Sequence, residues 1–288
     1  MHIPLQSYIC NQTQGILINI HAITSLLRFY TKADTYYRVH SPFVFQFIQA
    51  ILEDNRQYYL FDKIKALREE LNKNQTKIAV KDLGAGSKKS NKSNRTIQSI
   101  SKSAVSPNYQ SEILFKIAQQ INALQTVELG TSLGISAISL AGYTNKNQVH
   151  TLEGSPSILE VAKVNFKIFE ARNIHPYLGH FDNTLPEVLK KLKKIDLCYI
   201  DGNHAKAPTL KYFEMCLAHI HKNSVLIFDD IYWSKEMTEA WEIIKSQRKV
   251  KFTIDLYYFG LVFFNSDIKE VQHFKILASK YKPWQRYL

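Results

Sequence analysis

The chain has 288 residues, 45% of them hydrophobic, and a formal net charge of +12. This composition allows a sizeable core in one or two domains and excludes a fully disordered chain. The three cysteines have neither the spacing of a metal site nor the pattern of a disulfide framework. The apolar stretch at residues 15–29 is too short and too polar to span a bilayer, and the N-terminus lacks signal-peptide features. We therefore expect a cytoplasmic protein without a membrane span.

The excess positive charge is spread along the chain, with one dense stretch at residues 88–95 and Lys102 just beyond it. A basic stretch that is rich in Ser and Asn is usually a solvated loop, and this interpretation is favoured here. Binding of an anion or of nucleic acid is the alternative.

Residues 1–105 are predicted to form a helical N-terminal extension with a basic loop. Apolar side chains at helical spacing and a Ser-Pro start signal predict helices within residues 16–30, 41–52 and 61–71. Residues 84–106 are polar and rich in Ser, Lys and Asn, and they are predicted to form a loop.

Residues 106–288 are predicted to form a second unit in which strands and helices alternate. The predicted strands are residues 124–129, 149–152, 175–178, 195–200 and 224–228, followed by a hairpin of residues 252–258 and 261–264. Such alternation indicates an α/β fold with a mostly parallel sheet and helices on both faces. The hairpin brings the sheet to seven strands and gives it an antiparallel edge.

The loop after the first strand is the expected ligand site, because ligands of such sheets bind beyond the carboxyl ends of the strands. It reads ELGTSLG from Glu128 to Gly134, and its two glycines allow a tight turn and a close backbone approach. Glu153 ends the next strand about 20 residues further on, the distance expected for a carboxylate that binds ribose hydroxyls. The loop has neither GxGxxG nor GxxxxGK[ST] spacing, so a cofactor with a ribose and no phosphates fits best.

A second glycine-rich segment, KDLGAGS at residues 81–87, competes with this assignment. It follows only a short apolar run, and polar residues rather than an apolar helix come after it. No strand ending in an acidic residue lies at the right distance from it. Context therefore favours ELGTSLG, and a lid or substrate segment is the hypothesis for KDLGAGS.

Five ordered segments between residues 106 and 265 carry a resemblance to a known family: NYQSEILFKIAQQINALQTVELGTSLGISAISLA, TLEGSP, GHFDNTLPEVL, IDLCYIDGNH and SVLIFDDIYW. Together they resemble the small-molecule O-methyltransferases of the class I S-adenosylmethionine-dependent superfamily. Their layout is similar to that of the catechol, caffeoyl-coenzyme A and metal-dependent sugar O-methyltransferases. The resemblance implies a Rossmann-like sheet and S-adenosylmethionine as the cofactor.

The resemblance also assigns residues to the cofactor. It implies that Glu153 binds the ribose, that Asp182 lies near the adenine amino group, and that Asp201 borders the cofactor. It implies that the methionine part is surrounded by Glu128, Gly130, Thr131, Ser132 and Gly134. For Asp182 the alternative is a helix N-terminal carboxylate stabilised by the helix dipole.

Four residues at the ends of the fourth and fifth strands are candidates for the chemistry. By resemblance to the metal-dependent relatives, Asp201, Asp229 and Asp230 would hold a divalent ion such as Mg²⁺, which lowers the pKa of a substrate hydroxyl. His204 stands where the catechol-type enzymes carry a lysine base, and an imidazole is able to act as a base near neutral pH. The alternatives are a turn-capping role for Asp201, a helix-terminus role for the two loop aspartates, and a structural or cofactor-edge role for His204.

The function predicted from these features is S-adenosylmethionine-dependent methylation of a hydroxyl on a small-molecule acceptor. The charge motivates an alternative, an RNA or protein methyltransferase, but the sequence has no base-flipping motif of the Asn-Pro-Pro-Tyr type, so nucleic acid is not favoured. A non-catalytic cofactor-binding or interaction protein is the third hypothesis, because fold does not fix function. The acceptor, the need for Mg²⁺ and the formation of a homo-oligomer stay open.

Overall fold

A computed structural model of the protein describes residues 9–10, 17–18, 20–81, 92–105, 107–265 and 270–287. In these ranges the helices α1 to α10 are Ile20–Lys32, Pro42–Ile48, Tyr59–Leu71, Ile97–Ala104, Asn108–Gln120, Ile135–Ala141, Pro156–Ile168, Phe181–Leu192, Lys206–Leu217 and Lys235–Lys245. The strands β1 to β12 are Ile9–Cys10, Leu17–Ile18, Lys77–Lys81, Lys92–Thr96, Gln125–Leu129, Gln148–Glu153, Ile174–Leu178, Leu197–Ile200, Val225–Asp229, Phe252–Asp255, Phe259–Phe263 and Gln272–Lys275. Each helix in the described part of the chain is too short or too polar to cross a bilayer.

The central sheet has eight strands in the order β12-β10-β11-β9-β8-β5-β6-β7. Strand β11 runs antiparallel to both of its neighbours, β9 and β10, and the other pairs are parallel. This confirms the predicted mostly parallel α/β sheet with its antiparallel hairpin. The eighth strand, β12, was not predicted, because its mostly polar sequence QHFK lacks the apolar run that identifies a buried strand.

The middle strands are buried on both faces because helices cover the sheet on each side. Every residue of β8 and β9 is buried. Tyr199 and Ile227 belong to one core cluster, whereas Cys198 and Phe228 belong to the other. Strand β5 pairs with β6 on one side and with β8 on the other, so the strand order reverses at β5. In an open parallel sheet such a reversal creates a crevice at the carboxyl ends of the strands.

The N-terminal region is helical, as predicted, and its helices contribute to the core of the sheet. Helix α2 begins at Pro42 after the N-cap residue Ser41. Phe47 and Ile48 in this helix are 1% and 0% exposed. The Phe47 ring packs edge-on against Phe263 of β11, with 5.3 Å between the ring centroids. The N-terminal helices and the sheet therefore share one packed interior.

The prediction of a loop over residues 84–106 is wrong for residues 92–104. Strand β4 pairs antiparallel with β3, and helix α4 follows it directly. Ile97 and Ile100, one helical turn apart, are buried, and the Thr96 hydroxyl accepts a hydrogen bond from the Ser99 N–H at 3.1 Å. Backbone pairing of β4 does not require apolar side chains, so the polar composition concealed it. The glycines of KDLGAGS lie outside the described residues.

Cys198 and Cys216 are buried free thiols. Their sulfur atoms are 3.7 Å apart, between β8 and α9. They lie within the core and take no part in the site below.

Candidate functional site

The glycine-rich loop after β5 lies against the end of β8. Gly130 has a φ of +104°, and a Cβ at this position would lie 2.0 Å from the Asp201 carbonyl oxygen. Gly134 has a φ of +86°, and a Cβ there would lie 2.5 Å from the Phe166 ring. Both positions therefore require glycine, for its backbone conformation and for the close approach. The predicted close approach of this loop is present, and it is made to the Asp201 backbone.

Glu128 lies beneath this loop and is fully buried. Thr151 donates its hydroxyl proton to Glu128 Oε2 at 2.5 Å, and the Thr131 and Thr151 hydroxyl oxygens are also 2.5 Å apart. Burial raises the pKa of Glu128 to about 8, and the nearby Asp201 and Glu153 charges act in the same direction, against the hydrogen bonds from Ser136 and Thr151. A neutral carboxyl group therefore supports the glycine loop at neutral pH.

Glu153 joins the glycine loop to the start of α7. Its Oε2 accepts a hydrogen bond from the Ser132 N–H at 3.0 Å, and its Oε1 accepts one from the Ser155 N–H at 2.9 Å. Burial raises the pKa of this carboxyl group, while the backbone N–H donors of Ser155, Ser132 and Gly154 favour the charged form. The carboxylate thus lies at the carboxyl end of β6, beside the loop, where the sequence analysis places a ribose-binding group.

Two aspartates meet at the ends of β8 and β9. The register pairs Ile200 with Phe228, so Asp201 and Asp229 follow on adjacent strands. The Tyr199 hydroxyl oxygen lies 3.1 Å from Asp201 Oδ2 and 3.0 Å from Asp229 Oδ2. Burial, together with the Asp201 and Asp230 charges, raises the pKa of Asp229 well above its ordinary value. The sequence analysis missed Tyr199, although a tyrosine two residues before Asp201 has to point to the same face of the strand.

His204 lies beside this acidic group. Its Nε2 is 3.4 Å from Asp201 Oδ1. Burial disfavours the charged imidazole, but the hydrogen bond with Asp201 and the negative charges of Asp230 and Asp201 outweigh it and raise the pKa of His204 to about 8. Asp230 is the loop residue that follows β9, with a φ of +51° and its N–H donating to the Tyr258 carbonyl at 2.9 Å. The structure therefore brings together the imidazole and the three predicted aspartates.

Three neighbouring carboxylates form a metal site only when their oxygen atoms are placed to contact one ion together. In the ranges that the structure describes, no group of three or more His, Cys, Asp and Glu side chains is placed so that it could hold a metal ion. Both oxygens of Asp201 already have partners, Tyr199 and His204. Asp229 Oδ1 is the only oxygen of this pair that is buried without a hydrogen-bond partner in the described chain. The aspartates as they lie here do not fit a divalent ion, and a metal bound to them stays a prediction.

Asp182 forms an ion pair with a lysine of the next helix. It stands in the first turn of α8, and Lys211 of α9 approaches its Oδ2 to 2.6 Å. The neighbouring Phe181 ring lies closer to the strand ends, since a Cβ on Gly202 would meet it at 2.6 Å. An ion pair therefore engages Asp182, and its predicted role at the adenine stays a prediction.

Thr131, Ser132 and Asp201, three of the predicted residues, line one small cavity of about 10 Å³ at the switch in strand order, room for about one water molecule. Its lining includes Ser111, Thr131, Ser132, Ser136 and Asp201. Ser111, from α5, was not among the predicted residues, because a serine within a helix carries no positional signal.

Arg95, in the described part of the basic stretch, makes a contact within its own segment of the chain. Its guanidinium donates a hydrogen bond to the Ser103 hydroxyl at 2.6 Å.

Comparison with known proteins agrees with this geometry. A family described as "Methyltransferase domain" matches residues 127–231, from the glycine loop through the aspartate pair. No curated protein sequence matches the chain.

Solved structures share the fold. An O-methyltransferase from Bacillus cereus in complex with SAH (S-adenosylhomocysteine) has 19% identity and a TM-score of 0.51, over 76% of this chain and 96% of its own. An O-methyltransferase from Streptomyces achromogenes, involved in tomaymycin synthesis and in complex with SAM (S-adenosylmethionine), has 16% identity and a TM-score of 0.50, over 77% and 95%. An SAH-bound methyltransferase from Podospora anserina has 14% identity and a TM-score of 0.50, over 73% and 99%. At these identities the likeness shows the fold alone. Residues 127–231 thus resemble a methyltransferase domain, and the chain shares its fold with solved methyltransferases.

Proposed function

We propose that the protein is an S-adenosylmethionine-dependent methyltransferase that methylates a hydroxyl group of a small molecule. The observation that carries this proposal is the hydrogen bond between Glu153 and the Ser132 backbone, which fixes an acidic strand end beside a glycine-rich loop. The match of residues 127–231 to a methyltransferase domain supports it. So do the SAM and SAH bound to proteins of the same fold.

The cofactor residues proposed are those of the loop and the two strand ends. Gly130 and Gly134 let the loop pack closely against Asp201 and Phe166, and Glu153 offers its carboxylate to ribose hydroxyls. We assign the ribose to Glu153, the adenine edge to Asp182 and a further cofactor contact to Asp201. The methionine part is assigned to Glu128, Gly130, Thr131, Ser132 and Gly134. The negative charge of this site suits a sulfonium cation.

Methyl transfer to a hydroxyl group requires that the hydroxyl oxygen is aligned with the methyl group and that a residue accepts the hydroxyl proton. S-adenosylmethionine, when bound, supplies a methyl group on sulfur for in-line displacement by a nucleophile. His204, beside Asp201, is the residue proposed to accept the hydroxyl proton. Asp201, at 3.4 Å from Nε2, orients the imidazole and stabilises its charged form. The raised pKa of His204, about 8, makes its neutral imidazole a stronger base than an ordinary histidine.

The proposal is tested by incubating the protein with S-adenosylmethionine and a panel of phenols and sugars, and by measuring S-adenosylhomocysteine by mass spectrometry. We expect acceptor-dependent formation of S-adenosylhomocysteine. His204→Gln should lower that rate by at least about 100-fold, the scale of general base catalysis, and leave cofactor binding intact. An RNA-dependent rate that exceeds the rate with every small acceptor would contradict the small-molecule assignment.

A further inference from the structure

Tyr199 has an unusual position for a core tyrosine. It lies on β8 with 0% exposure, and its ring packs edge-on against Phe259 with 5.7 Å between the centroids. Its hydroxyl group, however, reaches the polar end of the sheet, where it lies within hydrogen-bond distance of Asp201 and Asp229. One phenol therefore joins carboxyl groups from two adjacent strands.

Two carboxyl groups this close to one oxygen atom repel each other when both are charged, and burial strengthens the repulsion. Proteins relieve such repulsion with a cation or with hydrogen bonds. The Tyr199 hydroxyl has one proton to donate and two lone pairs with which to accept, so it is able to link both groups at once. His204 then faces the other oxygen of Asp201.

We propose that Tyr199 is a positioning residue that holds Asp201 and Asp229 together by hydrogen bonds and thereby competes with divalent cations for their oxygen atoms. A divalent ion binds carboxylate oxygens at roughly 2.0–2.6 Å and needs several of them at once. In this structure both Oδ2 atoms face the Tyr199 hydroxyl, and Asp201 Oδ1 faces the imidazole. Without the hydroxyl, the two Oδ2 atoms lose their shared hydrogen-bond partner, while Asp229 Oδ1 already has no partner among the described residues.

The consequence is a gain of metal affinity when the hydroxyl is removed. Tyr199→Phe keeps the buried ring and removes the hydroxyl that contacts both carboxyl groups, so their Oδ2 atoms become available to a divalent ion. A tyrosine with a purely structural role would not produce this gain on losing its hydroxyl. Tyr143→Phe is the matched control, because the Tyr143 hydroxyl donates to the Ala123 carbonyl, away from the aspartates.

The experiment is isothermal titration of wild type, Tyr199→Phe and Tyr143→Phe with Mn²⁺ at one pH. We expect Mn²⁺ to bind Tyr199→Phe at least tenfold more tightly than it binds the wild type or Tyr143→Phe. Equal affinity in the three proteins would overturn the proposal. Micromolar binding of Mn²⁺ by the wild type would also overturn it, and this measurement decides the matter even when Tyr199→Phe does not fold.

The inference rests on the proposed function for its setting, the acceptor side of a methyltransferase site, but its readout is ion binding. Titration of the same proteins with S-adenosylhomocysteine separates the two proposals. If the wild type does not bind S-adenosylhomocysteine, the proposed function is contradicted. The Mn²⁺ titration still tests the role of Tyr199 in that case. Unchanged Mn²⁺ affinity in Tyr199→Phe, with cofactor binding intact, would contradict only the role of Tyr199.

Discussion

Glu128 offers a direct test of the electrostatics of the site, because a fully buried carboxyl group makes stability depend on pH. Its pKa is about 8 in the folded protein against an ordinary value of 4.5. The folded protein therefore holds a proton that the unfolded chain releases between these two values. The stability contributed by this proton is fully present below pH 4.5 and is lost as the pH rises to about 8.

The magnitude follows from linkage. Each pH unit between the two pKa values changes the free energy of unfolding by about 1.4 kcal/mol. Between pH 5.5 and pH 7.5 the loss should be about 2.5 kcal/mol. Glu128→Gln has nearly the same shape and does not ionise, so this part of the pH dependence should disappear.

The assay is urea unfolding of wild type and Glu128→Gln at several pH values from 5.5 to 7.5. The stability of the variant relative to wild type should increase by about 2.5 kcal/mol across this range. Glu160→Gln is the control, because Glu160 is an exposed carboxylate that pairs with Lys163, and its difference from wild type should stay constant. A difference between Glu128→Gln and wild type that does not change with pH would refute the reasoning.

Three further predictions concern the loop, the base and the N-terminal helices. Gly130→Ala places a Cβ against the Asp201 carbonyl, and we expect S-adenosylhomocysteine affinity by titration to fall at least tenfold; unchanged affinity would contradict the close approach. With the pKa of His204 at about 8, the neutral imidazole increases from about one tenth to about nine tenths between pH 7 and pH 9. The methylation rate should therefore rise about ninefold over that range, and a flat profile would exclude His204 as the base. Deleting residues 1–105 removes Phe47 and other core side chains, each worth about 2–5 kcal/mol against a total stability of about 5–15 kcal/mol. Circular dichroism should show an unfolded product, and a folded product would indicate an independent sheet domain.

Local sequence patterns were enough to predict most of the sheet and to single out Glu153 and the glycine loop, which the structure places together. The apolar run before Gly130 predicts a buried strand, and a glycine at a strand end predicts a close backbone approach. Glu153 was identified because an acidic residue at the end of the following strand has a recognisable spacing. These features are local, so the sequence displays them without knowledge of tertiary contacts.

Other features depend on partners that are distant in the sequence. Asp182 pairs with Lys211 across two helices, and no spacing rule indicates that pair. Tyr199 looks like a core aromatic until the register of β8 with β9 places Asp229 beside it. Strand β4 is polar and becomes a strand through backbone pairing with β3. Sequence patterns identify the residue types, whereas tertiary contacts decide which of them face one another.

The most direct test of the central claim is isothermal titration with S-adenosylmethionine and S-adenosylhomocysteine, with and without Mg²⁺. Wild type and the control Glu160→Ala should bind both with micromolar affinity. Glu153→Ala should bind at least tenfold more weakly, because it loses the carboxylate that joins the glycine loop to α7 and that we propose binds the ribose. No binding by the wild type in either condition, or equal binding by Glu153→Ala, would contradict the cofactor site described here.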